Sequence, residues 1–144
     1  MAYVMPRPRS GKPVRLSLAY DLGHEIDGGW WPYTAAIADE LADLVAALDS
    51  RLGKVAEIDI NWAPMHNPPN LNWKDWQTRP QHIMAIKGDQ ARANVLVVPC
   101  TTSSNLAGMV LRRAAGLPVV PARNEDGTLN TAEEILKAAR RQCI

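Results

Sequence analysis

Ile37, Leu41, Leu44, Val45, Leu48 and Leu52 recur at spacings of three and four, the interval at which side chains return to one side of an α-helix. A helix over this stretch has one apolar face that must be buried. Asp39, Glu40, Asp43 and Asp49 fall mainly outside that stripe and read as a solvated face. Thr34 is placed to cap the helix, and Gly53 can take the left-handed conformation that ends it. Immediately afterwards the period drops to two: Ala56, Ile58, Ile60 and Trp62 alternate with Val55, Glu57, Asp59 and Asn61, the pattern of a half-buried strand. A chain that passes directly from one periodicity to the other is committed to packing helices on a sheet.

The remaining elements follow from the same two periods. Residues 14–20 alternate as a first strand, and Asp21 to Gly29 reads as a polar connection. Residues 81–87 and 91–99 read as two more strands joined by Gly88-Asp89-Gln90, a short glycine-containing loop that implies an antiparallel hairpin. Val95-Leu96-Val97-Val98 is apolar on both faces and belongs in the middle of the sheet. Thr101 to Ser104 offer caps for a second helix carrying Leu106, Met109, Val110 and Ala114 and ending at Gly116. Thr131-Ala132-Glu133-Glu134 has the form of a capping box before a short helix over 132–142, whose Ile135, Leu136, Ala139 and Cys143 could dock on the body or on a second copy. The expected fold is α+β: an antiparallel sheet of four or five strands, two main helices on one face, and a short C-terminal helix. A fifth strand, if present, is expected in residues 63–80.

With 144 residues, 47% of them apolar, the chain suits a single domain. That domain is expected over residues 14–116, after a disordered basic tail at 1–13 and before an appendage at 117–144. Arg7, Arg9, Lys12 and Arg15 make the first fifteen residues purely basic although the whole chain carries only +1. No long apolar run suggests a secretory signal or a membrane span, and a cytoplasmic location is expected. Cys100 and Cys143 fit neither a metal knuckle nor a CxxC pair and are read as reduced thiols.

Gly28-Gly29-Trp30-Trp31-Pro32 is the most distinctive segment. Adjacent indoles on a constrained corner commonly divide their roles, one filling the core and one facing outward or under a loop. Taken with Arg15-Leu16-Ser17-Leu18, the Ala/Leu-rich helix ending in Arg51-Leu52-Gly53, and Val95-Leu96-Val97-Val98-Pro99, it resembles an actinobacterial family of small proteins of unknown function marked by a Gly-Gly/Ala-Trp-Trp-Pro motif. The resemblance spans residues 14–116 and implies no activity, cofactor or catalytic residue.

Candidate sites come from the residues themselves. Trp30, Trp31, Trp62, Trp73 and Trp76 cluster in one third of a chain that lacks Phe altogether, so core filling explains them plainly. The functional alternative sets Trp62 beside the loop bearing Trp73 and Trp76, forming an apolar groove with Asn61, Asn70 and Asn72 as polar anchors. Read this way, the chain is a non-enzymatic binding or interaction module that self-associates or holds a protein partner. A second reading is single-stranded nucleic-acid binding, with exposed indoles stacking on bases and Arg7, Arg9, Lys12 and Arg15 on phosphate. A third is a small enzyme or small-molecule binder with a pocket near His24 and Asp27. Thr102, Ser103 and Ser104 stand where a strand end meets a helix start and could hold an anion, although ordinary capping explains them. Glu57 and Asp59 share a strand face and read as solvated. His24, Asp27, His66, His82 and Cys100 are too scattered to specify a metal. No metal, cofactor or catalytic residue is assigned.

Overall fold

The computed structural model describes residues 13–62, 70–72, 80–119 and 126–142. The stretch apolar on both faces, β5 (Arg92–Val97), occupies the centre of a five-stranded sheet. The other strands are β1 (Leu16–Leu18), β2 (Gly28–Trp30), β3 (Val55–Ile60) and β4 (His82–Gly88), in the order β1-β2-β5-β4-β3. The expected hairpin is present: β4 and β5 pair antiparallel, with Met84 opposite Val95 and Lys87 opposite Arg92. Among the described residues there are three helices, α1 (Ile37–Leu52), α2 (Ser104–Ala114) and α3 (Asp126–Gln142). No helix among the described residues is long and apolar enough to cross a membrane.

The sheet is mixed, which corrects the expectation of a purely antiparallel one. The cause is β2, a strand of two glycines and Trp30 that runs antiparallel to β1 and parallel to β5. Glycine has low strand propensity and signals a turn, so Gly28 and Gly29 read as the end of a connection. They are there because the space admits backbone only. A Cβ on Gly28 would overlap the Ser17 carbonyl oxygen of β1, and one on Gly29 would press on Leu111 Cδ2 of α2 at 2.9 Å. The extra strand therefore lies at 28–30. The alternative location, residues 63–80, falls largely outside the described residues.

Side-chain alternation along β5 and β4 divides the core in two. Ala93, Val95 and Val97, with Met84, Ile86 and Trp30, pack against Leu44, Leu48 and Leu52 of α1. Leu96 and Val98, with Ile83, pack against Leu106, Val110 and Leu111 of α2 and Ile135, Leu136 and Ala139 of α3. The two main helices thus cover opposite faces of the sheet rather than one. Leu44, Leu48 and Leu52 are fully buried and each contributes about 1.5–3 kcal/mol of apolar burial, which is why their spacing was so readable.

Helix boundaries depart from local signals where burial or longer-range bonds compete. Thr34 is not the N-cap of α1: Ala36 is, without a side-chain cap. Thr34 instead donates its N–H and its hydroxyl to the Glu40 carboxylate, which also accepts the Tyr33 N–H. The C-terminal helix is not short but spans 17 residues. It passes through Gly127 and Asn130, poor helix formers, because Leu129, Ala132, Ile135, Leu136 and Ala139 form a stripe against α2. The capping box at Thr131 is accordingly absent, and the Thr131 hydroxyl donates back to the Gly127 carbonyl within the helix.

Asp27 locks the β1–β2 connection to the sheet centre. Its buried carboxylate accepts the N–H groups of Gly23 and His24 on one oxygen and that of Asn94 on the other, all within 2.9 Å. Asp27→Asn keeps the shape but turns an amide donor toward backbone donors. The expected loss is about 1.5–3 kcal/mol, read from urea denaturation. Gly29→Ala should cost about 1–3 kcal/mol, the usual price of overpacking against a flexible side chain. Gly28→Ala meets a backbone oxygen, so its denaturation midpoint should fall distinctly further than that of Gly29→Ala.

Candidate functional site

β2 and β5 are parallel neighbours, and each is followed by a helix. Past Trp30 the chain turns through Trp31 and Pro32 to α1 on one face; past Val98 it turns through Pro99 and Cys100 to α2 on the other. Connections that leave adjacent parallel strands toward opposite faces open a crevice at the strands' carboxyl ends. A groove of about 620 Å³ lies there.

One wall of the groove is Pro32, Thr34 to Ala38 and Leu41, at the start of α1; the other is Val97, Pro99, Cys100 and Thr101. Met84 and Ile58 line it from the neighbouring strands, together with Ile60, Trp62, His82 and Asn70. Trp62 and His82 stack in parallel, ring centroids 4.3 Å apart and planes within 2°. Trp62 stays partly buried while His82 is almost wholly so. Ile60 is 44% exposed. Among the described lining residues there is no Asp, Glu, Lys or Arg.

The corner that shapes the first wall is held by Arg15. Its guanidinium lies 3.6 Å from the Trp31 ring centre and 3.8 Å from that of Tyr33, while Nε donates to the Trp31 carbonyl and Nη2 to that of Pro32. Trp31 Nε1 donates across to the Pro99 carbonyl at 3.1 Å, tying the two chain exits together. The second wall is held by Asn72, whose side chain donates to the Thr101 carbonyl and accepts the Ser103 N–H. Asn61 similarly bridges to Gln81 and Ile83, extending the pairing of β3 with β4.

The expected site residues therefore separate. Trp62 and Asn70 lie in the groove; Trp30 is buried under α1; Trp31 is engaged by Arg15 and Pro99; Asn72 is a clamp on the β5–α2 turn. Trp73, Trp76, His66, Cys143, Arg7, Arg9 and Lys12 lie outside the described residues. Arg15 is committed to the Trp31 corner rather than free for phosphate. At the start of α2, the Thr102 N–H donates to Pro99 and the Ser103 N–H to Asn72, leaving fewer free donors for an anion at Thr102, Ser103 and Ser104. Cys100 is a free thiol.

His24 and Asp27 border a separate polar hollow of about 490 Å³ with Glu57, Asp59, Lys87 and Arg92. Both Asp27 oxygens are occupied by backbone donors, which suits a structural brace rather than a proton acceptor. Glu57 and Asp59 do share this face, and Lys87 stands opposite Glu57 and Arg92 in the ladder, a mixed-charge surface. Among the described residues no group of His, Cys, Asp and Glu is arranged to hold a metal ion.

The groove residues missed from sequence are Met84, Val97, Cys100 and the first turn of α1. Their signal was the repeated order strand, tight turn, helix after both Trp30 and Val98, legible only once Gly28–Trp30 is taken as a strand.

No curated protein and no solved structure matches the chain significantly. A family model does: the family of unknown function DUF5994 matches residues 15–114. That span holds every strand among the described residues, α1, α2 and all the groove residues named above, and the chain belongs to this family.

Proposed function

We propose that this chain is a binding module that takes a small organic molecule in the crevice at the carboxyl ends of β2 and β5. The observation that carries this reading is the coincidence of that topological position with a concave, mainly apolar groove of about 620 Å³, within the usual range of small-molecule sites. Trp62, His82 and Asn70 are its proposed contacts from the β3–β4 side, and Cys100 and Thr101 those from the β5–α2 turn. Asp27, the buried acid outside the groove, is saturated by backbone donors, which supports a bracing role for it and leaves the groove as the place for a ligand. Protein-partner and nucleic-acid readings have less support, since Trp30 is buried and Trp31 and Arg15 are spent on each other.

A fragment screen by protein NMR tests the reading. Hits should shift resonances of residues 34–41, 58–62 and 97–101. Trp62→Ala, with the fold verified by its spectrum, should weaken them about tenfold, or roughly 1.4 kcal/mol. Hits that map to the polar hollow, or that ignore Trp62→Ala, would place binding elsewhere.

A further inference from the structure

We infer that the crevice selects an uncharged, largely apolar ring compound, an inference that rests on the crevice being a ligand site at all. Charge complementarity decides the class. Among the described lining residues none is Asp or Glu, so a cation entering the groove would shed water with no carboxylate to meet it. An anion has one apparent attraction, the positive end of α1, whose first turn forms a wall. That end is already answered by the chain itself. Asp39 and Glu40 stand in the first turn, and the Glu40 carboxylate accepts the N–H groups of Tyr33 and Thr34 and the Thr34 hydroxyl. What remains of the helix field is small beside the cost of desolvating an ion. A neutral molecule pays neither cost and gains from burying its surface against Ile58, Met84 and Val97. The ring shape follows from Trp62, a groove-lining indole whose plane is fixed by its parallel stack on the buried His82. The exposed Thr101 side chain, at the groove's edge, can supply a polar contact to orient such a ring.

Two probes that share a ring system and differ by one charge separate the possibilities: N-phenylnaphthylamine and anilinonaphthalene sulfonate, each titrated by fluorescence into the full chain. The neutral amine should bind about tenfold more tightly than the sulfonate, and Trp62→Ala should weaken it. Ile60→Lys, at an exposed groove position that should leave folding intact, should narrow or invert the preference by placing a cation at the mouth. Equal or tighter binding of the sulfonate to the unmodified chain, still sensitive to Trp62→Ala, would overturn the charge selection and leave the ligand site standing. Binding of neither probe, or binding insensitive to both substitutions, would overturn the site and the selection together. Circular dichroism of both variants verifies that lost binding is not lost folding.

Discussion

Between Ser17 of β1 and Leu111 of α2 there is room for a strand's backbone but not for two side chains, and Gly28 and Gly29 meet that constraint. Their presence lets β2 slide between β1 and β5 and pair in parallel with the sheet's most apolar strand. The parallel pairing in turn puts two carboxyl ends side by side. Because α1 and α2 then leave toward opposite faces, the crevice is a geometric result of that insertion. Replacing the glycines by ordinary strand formers would raise local propensity and remove the space that makes the pairing possible.

The ends of β2 are braced by groups that look functional in isolation. Asp27, just before the strand, is a buried carboxylate whose oxygens gather backbone donors from its own loop and from β5. Trp31, just after it, is a partly buried indole pinned between Arg15 and the Pro99 carbonyl. A buried acid and a conspicuous aromatic are common hints of chemistry. Here their partners account for them, and attention moves to Trp62 and Ile60, whose apolar surface is less fully used.

What the sequence made legible follows the strength of each local pattern. The α1 stripe, the β4–β5 hairpin and the centrality of Val95–Val97 all rest on several residues with one period, and each is found; β3 is found as a strand, but its burial breaks the expected alternation, with Ala56 and Ile60 exposed and the register shifting between Val55 and Glu57. β2 was hidden because three residues cannot display a period and two of them are glycine. Missing it also left the parallel pairing with β5, and the crevice beside it, unforeseen. The extent of α3 was hidden for another reason: Gly127 and Asn130 disfavour helix locally, and only the α2 surface compensates them. Of the candidate site, Trp62 and Asn70 were legible as a strand-end indole and a polar anchor in the connection that follows it. Met84 and Cys100 were not, because only the three-dimensional neighbourhood of β2 and β5 brings them to the same groove.

The matched family region stops at residue 114, yet Ala132, Ile135, Leu136 and Ala139 are completely enclosed with α2. Trimming the chain to the matched span would therefore uncover an oily strip along α2, turning a buried seam into a sticky exterior. For anyone isolating this protein, the last helix functions as a cover belonging to the body, and the sensible unit of expression extends through it.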